Sequence, residues 1–492
     1  MSSTLKFTPL DEIEQIHALL YKTFKSKTCH PLSYRRTQLH KLARLVQENA
    51  ELIADAIHKD LGKPKFEVYM AETGPIVERC LISAKSLEEW SKDETPEVPE
   101  WQKAWKPTVH KTPKGPVLII SPWNYPLILS LQSLTAAISA GCPAAIKPSE
   151  LVPNFSQLLA ELIPKYLDQS AYRVVNGGAA EATKLLQLRW AHIFYTGNGR
   201  IGRIVATAAA QHLTPVSLEL GGKCPVLIDP EYDIDLAAKR ILWGKVTNAG
   251  QTCIAPDYIL TTPSTLPPLL TSLRNHLTTF YPSDSGGPLS SPNYAHIVSR
   301  SHFNRITSLL KRTKGKVEIG GKWDEEKLSV EPSVVVLGDA TQGGVEEDAL
   351  MEDEIFGPVL PVVLVESVQE MVDFVNARDQ PLAAYAFSEN EGVRKQILEN
   401  TISGGLFFND TFQQLAVNEI PFSGVGPSGY GAQVLKYGFN DFTHLRSSIT
   451  MPAAAEPHLA VRYPPYTDDA FKFMAALTHL PIPPVHANGD AQ

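Results

Sequence analysis

Cys253 closes the hexapeptide Asn248-Ala249-Gly250-Gln251-Thr252-Cys253, and Glu219 stands upstream in Leu218-Glu219-Leu220-Gly221-Gly222-Lys223. A cysteine thiol is a strong nucleophile once it loses its proton, and a carboxylate can serve as its base or as a base for water. Asn124, in Pro122-Trp123-Asn124, adds an amide donor of the kind that meets developing negative charge, and Lys147 adds a cation.

Each of these residues also has a plainer reading. A lone cysteine is ordinarily core filler, but Gly250, Gln251 and Thr252 form a polar turn that would present the thiol at an edge, with its own N–H near an oxyanion. Glu219 is either the outward residue of an alternating strand or a base whose pKa its leucine neighbours raise toward neutrality. Asn124 is a turn asparagine bonded to its own backbone, or a donor of the kind worth about 3–4 kcal/mol in an oxyanion hole. Lys147 is an exposed lysine, or an ammonium held at a strand end by Pro148.

The elements that must position them follow from periodicity. Apolar residues recur at helical spacing through residues 10–92, with Ile13, Ile16, Leu19 and Leu20 on one face and Leu39, Leu42, Leu45 and Val46 on another. Residues 95–111, with Pro96, Pro99, Trp101, Trp105 and Pro107, lack a period and read as a crossing arm. Short apolar runs at 117–121, 144–147, 172–175 and 192–195 then alternate with helical stretches at 127–140, 155–167 and 181–187. That alternation predicts a parallel sheet with helices on both faces, whose ligands lie at the carboxyl ends of the strands. Trp123-Asn124, Lys147-Pro148-Ser149-Glu150 and Gly197-Asn198-Gly199 fall at such ends. A second α/β block opens near Cys224 and runs through 334–337 and 360–364 to Asn409.

Gly197-Asn198-Gly199-Arg200-Ile201-Gly202 matches G-x-G-x-x-G between a strand and a helix, a place for a phosphate at a helix N-terminus. No acidic residue ends a strand about twenty residues later, so an ordinary dinucleotide fold is not indicated. Glu354-Ile355-Phe356-Gly357-Pro358 reads as a solvated acidic face or as a carboxylate for ribose hydroxyls beside a ring for a flat heterocycle.

A length of 492 residues calls for two or three domains, and 43% hydrophobic against 20% charged residues places the chain among globular proteins. The net charge of −8 argues against a nucleic-acid surface. Five scattered cysteines with no Cys-x-x-Cys pair indicate a reducing compartment and no metal site, and the N-terminus shows no targeting pattern, so cytoplasm is expected. Residues 115–146 are uncharged, but Pro122, Asn124, Pro126, Gln132, Gly141 and Pro143 interrupt them, against a membrane span.

The ordered series PWNYP, KPSE, TGNGRIG, LELGGK, GQTC, EIFGP and PFSGVGPSGYG resembles that of the NAD(P)-dependent aldehyde dehydrogenases over residues 34–448. The PWNYP form and the GYG and RYPPY segments make the class 3 and fatty-aldehyde branch the most similar. The resemblance implies a doubly wound cofactor-binding sheet (residues 1–94 and 112–222), a second α/β catalytic domain (223–420), a β-arm for oligomerisation (95–111 and 440–455) and a C-terminal tail (456–492). It implies Cys253 as nucleophile, Glu219 as the base for deacylation, and Asn124 with the Cys253 N–H as oxyanion hole. NAD or NADP would lie on Trp123, Lys147, Ser149, Glu150, Gly197, Asn198, Gly202, Leu220, Gly221, Glu354 and Phe356; the family commonly shows serine at Asn198. The implied reaction is oxidation of a long-chain or other apolar aldehyde to its acid by a homodimer. The alternatives are acyl transfer to coenzyme A and a redox-inactive binding protein of the same fold. A helical patch over 468–480, ended by Pro481, Pro483 and Pro484 and followed by polar Asn488-Gly489-Asp490, is expected to pack on its own subunit, with a substrate lid or a peripheral membrane contact as the alternative.

Overall fold

The computed structural model of the chain describes residues 5–340 and 344–483. Backbone packing divides it into two units, Met1–Ser91 with Thr112–His444, and Lys92–Lys111 with Leu445–Gln492.

The larger unit opens on helices whose apolar stripes are buried as their spacing requires: Ile13, Ile16 and Leu20 in Leu10–Lys25, and Leu39, Leu42, Leu45 and Val46 in Leu32–Glu48. It then builds two α/β sheets. In the first, the parallel strands Tyr172–Val174, Ala144–Lys147, Val117–Ile120, His192–Gly197 and Val216–Leu220 lie side by side in that order, and Gly429–Tyr430 adds an antiparallel edge. The order reverses between Val117–Ile120 and His192–Gly197, which pair in register from Val117 opposite His192. In open α/β sheets it is at such a point, outside the carboxyl ends of the strands, that ligands bind. Continuous apolar strands such as Val117–Ile120 suit a sheet covered on both faces.

The uncharged stretch at 115–146 is a strand, a helix and a strand. The helix, Pro126–Ala140, has Leu127, Leu131, Leu134 and Ile138 without exposure, and its polar Ser130, Gln132, Ser133, Thr135 and Ser139 are buried too, so it carries no charge because protein surrounds it. Pro126 supplies a preset φ at its start, and Gly141, at φ 84°, ends it in the left-handed conformation that glycine adopts without a Cβ penalty. Among the described residues no helix is long and apolar enough to cross a membrane.

The second sheet runs Gly405–Phe408, Ala383–Phe387, Pro225–Ile228, Tyr258–Thr261, Val359–Leu364, Ser333–Asp339 and Lys316–Ile319, all parallel but for the last. Val226, Ile259, Val362 and Tyr385 form the centre of its core.

In the smaller unit the chain makes a short helix, Glu100–Lys103, where Trp101 and Trp105 meet edge to face at 5.0 Å, and an antiparallel bridge between Glu94 and Val109. The strand Thr108–Pro113 pairs with Thr443–Ser448. The C-terminal helix is shorter than the sequence pattern suggested. It spans Asp468–Ala476, capped by Thr467 Oγ1, which accepts from Ala470 N at 3.2 Å. Bonds from Thr478 N to Ala475 O and His479 N to Ala476 O then tighten the chain into turns short of Leu480. Pro484 and Asn488-Gly489-Asp490 lie outside the described residues.

Candidate active site

Strand Val216–Leu220 carries Glu219 to its carboxyl end, where Glu219 faces Gly429 on the antiparallel edge. Gly429 adopts φ 115°, and a Cβ there would stand 1.9 Å from the Leu218 carbonyl oxygen, so only glycine permits this approach. Glu219 is buried, and neither carboxylate oxygen has a hydrogen-bond partner among the described residues. Burial first, and the charge of Asp441 second, push its carboxyl well above the usual carboxylate range. This is not the outward residue of a half-exposed strand.

Asn124 lies in the loop after Val117–Ile120, 3% exposed. Its side-chain Nδ2 donates to the Gln251 carbonyl at 3.0 Å, two residues before Cys253. It is therefore tied to the cysteine loop and not to its own backbone. Tyr125 and Thr252 make a second tie through their hydroxyls at 3.1 Å.

The cysteine loop is held under strain. Asn248 and Ala249 both sit at φ 51° and Gly250 at φ 72°, a run of left-handed backbone that costs on the order of 1 kcal/mol or more per non-glycine residue. Buried Gln251 holds the loop shut: its amide donates to the Asn248 and His296 carbonyls at 3.1 and 3.0 Å and accepts from Val298 N at 3.0 Å. Four of the five cysteines are buried, whereas Cys253 is part exposed. Burial first, then the charges of Glu354 and Glu219, raise its thiol pKa, while its own N–H and that of Ile254 oppose them. The thiol is protonated at neutral pH in this state. Cys224, five residues after Glu219, donates its thiol to the Cys253 carbonyl at 3.4 Å. Asn124 is thus bonded into the cysteine loop, and the Glu219 charge reaches the Cys253 thiol.

Glu67, absent from the sequence reading, accepts from the strained Asn248 N at 2.9 Å. Burial pushes its carboxyl up to about 7, with the Glu72 charge adding and Lys63 and the Asn248 N–H opposing. Between pH 4.5 and 7 the folded protein holds a proton there that the unfolded chain has lost, so stability falls as pH rises through that window. Glu67→Gln is expected to match the parent in thermal unfolding near pH 4.5 and to exceed it above pH 8 by up to about 3 kcal/mol. Equal stability of the two at every pH would show that Glu67 does not titrate in this way.

The sequence matches the model of the aldehyde dehydrogenase family over residues 10–448. It is 42% identical to aldehyde dehydrogenase family 3 member B1 of Bos taurus over 91% of this chain and 93% of that one. It is 40% identical to the dimeric NADP-preferring aldehyde dehydrogenase of Rattus norvegicus, over 90% and 96%. A substrate-bound structure of Staphylococcus aureus AldH superposes with a TM-score of 0.88 at 38% identity, covering 94% of this chain and 99% of that chain. The chain belongs to the aldehyde dehydrogenase family. As a member it oxidises aldehydes to carboxylic acids with NAD or NADP.

Features of this aldehyde dehydrogenase fit such a dinucleotide. Helix Gly199–Ala210 begins directly after the strand ending at Gly197, and a helix N-terminus in that place is of the kind that suits an anion. A Cβ on Gly197 would stand 2.3 Å from the hydroxyl of Tyr195 on the same strand, and one on Gly202 2.9 Å from Leu220 Cδ2, so glycine at 202 lets helix and strand approach. Asn198 caps that helix, its Oδ1 accepting from Ile201 N at 3.0 Å. This leaves its NH2 able to donate. Lys147 is 5% exposed and donates to the Pro148 carbonyl at 3.1 Å and to Glu150 at 3.3 Å. Ser149 accepts from Leu151 N at 3.2 Å.

Glu354 lies with Oε2 so close over Gly221 that a Cβ there would come within 2.1 Å, and its buried Oε1 has no hydrogen-bond partner among the described residues. Burial, then the charge of Asp257, raise its pKa well above the usual range. Phe356, at φ 48°, meets Trp123 edge to face at 5.4 Å, and Trp123 meets His302 at 5.2 Å. Arg305 donates to the Glu354 and Ile355 carbonyls at 3.4 and 2.5 Å. His302 and Arg305, from helix Arg300–Arg312, were not legible in the sequence, because nothing at their own positions departs from an ordinary amphipathic helix.

Proposed function

We propose that the enzyme works through a Cys253 thioester hydrolysed by water, and that its substrates are long-chain or other apolar aldehydes. The observation that carries this reading is the buried, unpartnered carboxylate of Glu219 beside a cysteine loop to which the Asn124 amide is bonded.

In this mechanism Cys253 yields its proton to solvent water as sulfur attacks the aldehyde carbon, and the oxyanion so formed accepts from Asn124 Nδ2 and the Cys253 N–H. When bound, the nicotinamide cofactor supplies the acceptor for the hydride that the tetrahedral adduct loses. Glu219 then takes a proton from water, which attacks the thioester carbon; the carbon–sulfur bond breaks, the acid leaves and the Cys253 thiol is restored. A base with two unoccupied oxygens suits water as acyl acceptor, in preference to coenzyme A.

Residues 112–222 with the N-terminal helices would form the cofactor domain and residues 223–420 the catalytic domain. Lys147, Ser149 and Glu150 would hold the adenosine ribose, and Gly197, Asn198 and Gly202 the pyrophosphate. Glu354 would hold the nicotinamide ribose, with Trp123, Leu220, Gly221 and Phe356 walling the ring. The paired strands Thr108–Pro113 and Thr443–Ser448 leave edges that a second copy would cover in a homodimer, as the name of the rat relative suggests.

Phe471, Phe473 and Leu477, each more than half exposed on and just after helix Asp468–Ala476, support a peripheral lipid contact by a cytoplasmic enzyme. Steady-state rates for short, aromatic and long-chain aldehydes, with NAD and with NADP, test the reading on the full chain and on one ending at Pro457. The expected result is the highest kcat/KM for long chains. Truncation should lower that preference and abolish co-sedimentation with anionic vesicles. A preference for short aldehydes would overturn the substrate assignment, and unchanged partition the lipid contact.

A further inference from the structure

We propose that Lys63 is a positioning residue for oxidation, fixing Asn124 through its main-chain carbonyl; this rests on Asn124 as the oxyanion donor. Lys63 has no exposure, and a lysine is almost never fully buried unless its charge is paired. Its partner is Glu72, also without exposure, at 2.8 Å. Among the described residues, the pair's other side-chain hydrogen bonds converge on one short segment. Lys63 Nζ donates to the Asn124 carbonyl at 2.7 Å and lies 3.8 Å over the Tyr125 ring. The second Glu72 oxygen accepts from Leu127 N at 2.9 Å and Ile128 N at 3.3 Å, at the start of helix Pro126–Ala140. Residues 124–128 are therefore gripped from one side by a single buried ion pair.

Asn248 completes the grip from the cysteine side. Its Nδ2 donates to the Asn124 carbonyl at 2.9 Å and to the Gln251 carbonyl at 3.1 Å. The Gln251 carbonyl is also the acceptor for Asn124 Nδ2. With one N–H of Asn124 spent there, the amide plane is set and its second N–H has a defined direction. Tyr125, beneath the ammonium, reaches Thr252 next to Cys253. One cation thus registers the Asn124 amide against the cysteine loop.

A buried ion pair is a poor device for stability, since apolar replacements of similar volume are often neutral or better. It is a good device for placement, and a donor displaced by about 1 Å loses on the order of 100-fold in rate. Lys63→Met with Glu72→Gln removes the pair without leaving a buried charge unpaired. The readouts are the rate constant of the first burst of reduced cofactor, the Kd of NAD and the Tm, in the parent and in an Asn124→Ala background.

The double replacement is expected to slow the burst about 10- to 100-fold with NAD affinity unchanged. Asn124→Ala alone should slow it about 100- to 1000-fold. In the combined variant the loss at Lys63 should vanish, because there is no amide left to place. A burst within twofold of the parent, or losses that multiply in the combined variant, would overturn the proposal. A parent-like burst in Asn124→Ala would instead refute the oxyanion assignment beneath it. Should the double variant not fold, Lys63→Arg carries the same cycle: it keeps the charge but not the point of donation, with about a tenfold loss expected that disappears in Asn124→Ala.

Discussion

Cys253→Ala is expected to abolish aldehyde oxidation, by about 10⁴-fold or more, while NAD and NADP bind as in the parent. The substitution removes the only group in the candidate site proposed to bond covalently with the carbonyl carbon. A cofactor titration followed by fluorescence, with turnover read from absorbance of reduced cofactor, separates the two effects. The small change in volume at a part-exposed position should leave the fold intact. Turnover near the parent rate would reject the assignment of the nucleophile.

Glu219→Gln is expected to leave the first turnover and slow all later ones. One equivalent of reduced cofactor per site should form in a burst, followed by hydrolysis about 100- to 10,000-fold slower, because the amide cannot take a proton from water. Glutamine has nearly the same shape, and its predecessor's oxygens make no hydrogen bonds among the described residues, so little is lost structurally. Burial raises the Glu219 pKa, so the parent's hydrolytic step should quicken with pH as the carboxyl ionises and level off above that pKa. In the variant this rise should be gone. Loss of the burst itself would contradict a role confined to deacylation.

Much of the scaffold is legible in the sequence because it is local. The alternation between residues 117 and 197 predicts strands and helices that the structure places within a few residues, as with the run at 181–187, found as Ala179–Leu186. The helix predicted over 468–480 ends at Ala476, since helix boundaries depend on a few bonds that periodicity does not carry. Around the candidate site, the hexapeptide ending at Cys253 is visible as a polar turn, but the work of Gln251 and Asn248 within it is not. Their partners, His296, Val298 and Asn124, are 45, 47 and 124 residues away in the chain. Nothing in the sequence sets Lys63 and Glu72 apart, and only packing shows them to have no exposure.

The order of motifs and the period of the apolar residues are enough to determine the family, the α/β class and the kinds of side chain available for chemistry, because these are properties of neighbours along the chain. Tertiary structure decides how those side chains behave. It strips Glu219 of hydrogen-bond partners, raises the Cys253 thiol, ties the Asn124 amide to the cysteine loop and seats an ion pair behind it. The reason is physical: desolvation and hydrogen bonding across a hundred residues exist only when distant segments meet in a medium from which water has been removed.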